Sequence, residues 1–163
     1  MSRLNQAVAV NAAKHITLSA LLLAIAFISC SKSKFDTKGN DLPLITTSDE
    51  LSAASKKAGD RMVVLELYAD WCMPCKVLSP VLHELAAEYR NKAFFYRVNV
   101  DRSPDLVRAF SVRGIPYVVF MKQNKAVYTL TGVKPKESYQ KILDICKGTV
   151  SPDDCVDQLN ERM

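Results

Sequence analysis

A single α/β domain, with a central mixed β-sheet flanked by helices, is the fold class this sequence predicts, and three observations predict it. An apolar run at 62–69, an amphipathic stretch at 77–89 and a second strand-like run at 93–100 follow one another as strand, helix and strand. Two further strand-like runs, 117–121 and 126–131, are separated only by Lys122-Gln123-Asn124-Lys125 and read as a hairpin pair. An amphipathic segment at 135–147 closes the pattern. A βαβ unit, a hairpin and a closing helix fit one sheet.

Each element has a local cause. Thr47-Ser48-Asp49-Glu50 is a capping-box pattern, so a helix is predicted over 48–58, ended by Gly59-Asp60. Residues 62–69 are mostly apolar, as a strand covered on both faces requires. The next helix starts near Cys72, with Val77, Leu78, Val81, Leu82, Leu85, Ala86 and Tyr89 at helical spacing and Pro80 inside it. His83 falls off that stripe and reads as a surface residue. Ser103-Pro104-Asp105 opens a short helix, with Pro104 at its first position. The hairpin turn has no Gly, which leaves Asn124 to take the left-handed position. Tyr139, Ile142, Leu143 and Cys146 share one helix face, and Ser151-Pro152-Asp153-Asp154 caps a last short helix.

The chain has 163 residues, enough for one domain with a sizeable core. Its formal charge is +5. Arg3 and Lys14 lie in residues 1–29, which hold no acid; without them, 20 basic residues face 17 acidic ones. The remaining charge is scattered, so no nucleic-acid partner is expected. No internal repeat is visible, and a monomer is expected.

Cys72-Met73-Pro74-Cys75 carries the chemistry. Two cysteines at this spacing, at a helix start, form a dithiol–disulfide pair. The unpaired N–H groups and partial positive charge there stabilise a thiolate, which is the attacking species. A zinc site needs two more ligands at matching spacing, and Cys146 and Cys155 do not supply that spacing, so no metal and no cofactor are expected.

Trp71-Cys72-Met73-Pro74-Cys75-Lys76 resembles the thioredoxin active site, with Met73 where that family usually has Gly. Pro80, Asn99-Val100-Asp101, Arg113-Gly114-Ile115-Pro116 and Gly132 fall in the family's order and spacing. The resemblance covers about residues 45–147 and implies a thioredoxin fold. The run Leu67-Tyr68-Ala69-Asp70-Trp71-Cys72 is also similar to the periplasmic C-terminal domain of a transmembrane thiol reductase.

The resemblance implies roles. Cys72 is the expected nucleophile, more exposed than its partner, and Cys75 resolves the mixed disulfide. Glu66 takes the place of the family's buried Asp and is expected to accept the Cys75 proton. Arg97 aligns with a Lys beside that carboxylate and would hold its charge. Pro116 is expected to follow a cis bond, with Ile115 backbone groups pairing with an extended substrate segment. Trp71, Met73 and Gly132 would complete a docking surface.

The implied activity is that of a thiol–disulfide oxidoreductase, with disulfide-containing proteins as substrates. Pro74 and Ile115 resemble reducing members of the family, which favours a protein-disulfide reductase. A disulfide oxidase or isomerase stays open, as does a thioredoxin-fold binding or chaperone module.

Residues 1–29 look like an export signal: a basic leader, then an apolar or small run at 16–29, too short to span a bilayer comfortably. Ala26-Phe27-Ile28-Ser29-Cys30 resembles a bacterial lipobox, which implies lipidation of Cys30. A retained anchor or plain secretion stays open. Residues 30–42 read as the lipidated Cys and a polar tether, 43–148 as the thioredoxin-like domain and 149–163 as a helical extension. The domain is expected on the periplasmic side of a bacterial membrane, with a membrane thiol electron donor.

Cys146 and Cys155 are then left as an even pair in an oxidising compartment. A structural disulfide is expected, worth about 2–3 kcal/mol on the chain-entropy account. Two free thiols or a second redox pair remain open.

Overall fold

The computed structural model describes residues 41–163. The signal at 1–29, the lipidation site Cys30 and most of the tether lie outside the described residues. Helix α1 (Ser48–Ala58) follows a complete capping box: Thr47 Oγ1 accepts the Glu50 N–H at 3.2 Å, and a Glu50 carboxylate oxygen accepts the Thr47 N–H at 3.3 Å. Gly59, at φ 59°, ends the helix in a conformation that suits glycine.

Strand β1 (Met62–Tyr68) is buried along its whole length. Helix α2 (Met73–Glu88) runs through Pro80 and is followed by β2 (Ala93–Asn99), the short α3 (Pro104–Ala109) and the hairpin β3 (Tyr117–Lys122) and β4 (Lys125–Thr131). Helices α4 (Lys136–Cys146) and α5 (Pro152–Arg162) complete the chain. The hairpin turn takes two left-handed residues, Gln123 at φ 46° and Asn124 at φ 65°, where the sequence pattern points to Asn124 alone. Two such residues match the right-handed twist of the flanking strands.

The sheet order is β2-β1-β3-β4. β1 pairs parallel with β2 and antiparallel with β3, and β3 pairs antiparallel with β4. A short N-terminal strap adds to the outer edge of β2. The Arg97 N–H donates to the Pro43 carbonyl at 2.9 Å, and the Ile45 N–H donates to the Arg97 carbonyl at 2.8 Å.

Strand alternation divides the interior into two cores. Met62 and Val64 of β1 and Val118 and Phe120 of β3 pack with Leu78, Leu82 and Leu85 of α2 and Tyr139, Ile142 and Leu143 of α4. Val63, Leu65 and Leu67 face the other way, with Leu51 and Ala54 of α1 and Leu106 of α3. Helix α5 joins the first core through Cys155 and Leu159, and Leu42 packs against it. Cys146 and Cys155 are bonded, with an S–S distance of 1.94 Å, and are fully buried. The bond ties α5 to α4.

Lys122 is also buried, and its ammonium donates to the Asp60 carbonyl at 2.8 Å and to the Cys146 carbonyl at 3.4 Å. Burial lowers its pKa, opposed by Asp60 and Asp154. No helix among the described residues is long and apolar enough to cross a membrane.

Candidate active site

Cys72 is the N-cap of α2, with extended backbone at φ −77° and ψ 100°. Its Sγ accepts the Cys75 N–H at 3.2 Å. Pro74 sits in the first helical turn, where a missing N–H costs nothing. Cys72 and Cys75 are disulfide-bonded, with an S–S distance of 2.08 Å and Cα atoms 5.3 Å apart. Once the bond is reduced, the same N–H and the helix N-terminus stabilise negative charge on Cys72. Cys72 is 3% exposed and Cys75 1%, so the expected contrast in exposure is narrow. Both pack in a small cluster with Tyr68 and Ala69, against Val100 and Ile115.

Glu66 lies one alternation before Tyr68, on the β1 face that meets α2 and α4. Its side chain is fully buried. The parallel register sets Arg97 of β2 directly beside it, and Arg97 Nε donates to Glu66 Oε2 at 2.8 Å. Glu66 Oε1 has no hydrogen-bond partner among the described protein groups. Burial pushes the Glu66 carboxyl above the usual carboxylate range; the charge and hydrogen bond of Arg97 pull it back without cancelling the rise. The Arg97 guanidinium also lies over the Tyr68 ring, 3.5 Å from its centroid.

The Ile115–Pro116 peptide bond is cis. The Gly132 N–H donates to the Pro116 carbonyl at 2.8 Å, which joins the end of β4 to this loop. Gly132 has φ 75°, a conformation that suits glycine. Trp71 and Met73 are 67% and 65% exposed beside the cysteines. The Trp71 indole N–H donates to Asp101 Oδ2 at 3.0 Å, and the Asp101 N–H donates to Asn99 Oδ1 at 2.9 Å. The end of β2 therefore orients the tryptophan. Cys146 and Cys155 belong to the large core and not to this cluster.

The thioredoxin family profile matches residues 43–145. The chain belongs to the thioredoxin family. A thioredoxin of Buchnera aphidicola is 35% identical over 91 residues, which are 56% of this chain and 80% of that one. A Staphylococcus aureus thioredoxin is 37% identical over 81 residues, 50% of this chain and 78% of that one. Among solved structures, a mutant thioredoxin from Halobacterium salinarum superposes with a TM-score of 0.61 at 26% identity, covering 69% of this chain and 96% of that one. The chain is a thioredoxin-like thiol–disulfide oxidoreductase with Cys72 and Cys75 at its active site.

This thioredoxin site includes groups that the sequence pattern does not assign. Tyr68 supplies the ring under Arg97, and Asn99 and Asp101 hold Trp71. His83, which falls off the apolar stripe and reads as a surface residue, is half-buried. It lines an open cleft of about 580 Å³ that also reaches Cys75 and Arg97. Among the described residues, no group of three or more His, Cys, Asp or Glu side chains is placed to hold a metal ion.

Proposed function

We propose that the protein is an extracytoplasmic protein-disulfide reductase. The observation that carries the chemistry is the hydrogen bond from the Cys75 N–H to Cys72 Sγ at a helix N-terminus, and β1, which leads into that helix, carries the buried Glu66 carboxyl. The Cys72 thiolate attacks a substrate disulfide, and one substrate sulfur leaves as a thiolate that takes a proton from water. Cys75 passes its proton to Glu66 through water and then attacks Cys72 Sγ. The Cys72–Cys75 bond forms as the mixed disulfide breaks, and reduced substrate departs. Arg97 stays charged throughout and limits how far Glu66 is raised. The Ile115–Pro116 loop, Trp71 and Met73 receive an extended substrate segment.

A lipid on Cys30 would hold the domain near a membrane face, and a membrane thiol protein would return electrons to the pair. The lipobox-like run before Cys30 supports that reading. Cys75→Ser tests the mechanism, because a Cys72-linked mixed disulfide then persists. Mass spectrometry should find substrates joined through Cys72 alone. Trapped partners on any other cysteine, or none, would exclude this order of attack.

A further inference from the structure

His83 is an ionisable group at the active-site cleft that this chemistry leaves unused. Glu66 has no exposed surface, and Arg97 holds one of its oxygens. A proton received there has no direct way to solvent. Arg97 lines the cleft, yet a guanidinium does not give up its proton. Cys75 lines the same cleft and is almost fully buried.

We propose that His83 carries the proton between buried Cys75, with Glu66 behind Arg97, and solvent, through water in the cleft that α2 lines with Asp41 of the N-terminal strap. This inference rests on the reductase reading. Cys75 and His83 are eight residues apart on α2, about 12 Å along the helix axis. Water must bridge that span, and a cleft of about 580 Å³ is ample for a file of molecules at roughly 30 Å³ each. Ser79 lies on the same wall between them and offers a hydroxyl partner.

The cleft also holds Asp41 from the strap, Tyr68 and Asp70 at the end of β1, Lys76 and Glu84 on α2, and Arg97 on β2. Among these side-chain types, imidazole alone ordinarily changes charge between about pH 5 and 8. Burial lowers the His83 pKa; Asp41 raises it and Arg97 lowers it further. The group is therefore a neutral base at neutral pH that can take up a proton and release it.

The proton balance is complete. In the resolving step Cys75 loses its proton to Glu66, the Cys72–Cys75 bond forms, and the substrate leaves as a thiolate that takes a proton from water. Two electrons pass from the cysteine pair to the substrate. Glu66 then returns to the carboxylate by losing its proton through water to the cleft that Cys75 and Arg97 line, and there to His83, which passes it to buffer. The same route runs inward when a dithiol reduces the pair and Cys75 again becomes a thiol.

The test is steady-state reduction of insulin by the full chain, with dithiothreitol as reductant and only weak buffering. His83→Gln should turn over at least about tenfold more slowly, short of the roughly 10²–10⁴ that a directly acting base contributes. Added imidazole should restore that rate and leave the wild-type rate unchanged. Asp41→Asn should shift the acid limb of the wild-type pH profile downward, because it removes the charge that raises the imidazole pKa. Equal rates for His83→Gln and wild type overturn the inference, as do a deficit that imidazole does not relieve and an unmoved Asp41→Asn profile. Those results leave the reductase reading standing. A wild-type chain that fails to reduce insulin overturns both.

Discussion

Arg97→Gln should destabilise the fold in a way that depends on pH. Among the described residues, Arg97 is the one cation bonded to the buried Glu66, and the change leaves the backbone pairing of residue 97 with the strap in place. Breaking a buried pair costs about 3–5 kcal/mol, since the remaining charge stays uncompensated. Arg97 keeps some contact with water, which favours the lower end, about 3 kcal/mol. At about 4 °C per kcal/mol for a domain of this size, the midpoint should fall by about 12 °C at pH 8.

The direction of the pH dependence follows from the raised Glu66 pKa. Below about pH 4.3 the carboxyl is neutral in both folded and unfolded chains, and the loss shrinks to the guanidinium contacts, about 1 kcal/mol. Above that value the unfolded chain ionises first. The folded form holds the extra proton, and stability falls as pH rises toward the raised folded value. Without Arg97 the folded pKa rises further, so the window widens and the loss grows. Urea unfolding followed by far-UV circular dichroism at pH 4 and pH 8 measures this. Equal losses at both pH values, or a loss at pH 8 below about 1 kcal/mol, would refute the reasoning.

Three further outcomes follow from the same geometry. Glu66→Gln should slow oxidation of the reduced protein by excess disulfide substrate at least about tenfold at pH 7, read by quenching and thiol counting, because Gln cannot accept the Cys75 proton. Cys146→Ala with Cys155→Ala should cost about 2–3 kcal/mol in urea and leave disulfide turnover intact, since this bond ties α5 to α4 away from the active site. Trp71→Ala should raise KM for protein disulfides several-fold with little change in kcat; the exposed indole is held by Asp101 and contributes contact area.

Local signals made most of the fold legible. The capping boxes at Thr47 and Ser151, Pro104 at a helix start and the apolar run of β1 each act within a few residues. The family resemblance brought Glu66 and Arg97 together, and the parallel register of β1 and β2 gives the physical reason.

The rest depended on contacts between distant residues. Trp71 and Asp101 are joined by a hydrogen bond across 30 residues, which no periodicity encodes. His83 lies off the Leu78, Leu82 and Leu85 stripe, and its proposed role depends on an open cleft lined by α2, the end of β1, Arg97 and Asp41 of the strap. The strap is too short to show a period, and Pro43 interrupts it. Gln123 carries no glycine-like signal, yet the two-residue connection places it at φ 46°.

The equilibrium reduction potential of Cys72/Cys75 tests the central claim most directly. Met73 lies between the cysteines where the family usually has Gly, and the reductase proposal rests on the resemblance of Pro74 and Ile115 to reducing members of the family. Titration of the full chain against dithiothreitol should give a value near about −270 mV, in the range of a reducing thioredoxin. A value near about −120 mV, that of a strong oxidant, would contradict the reductase account.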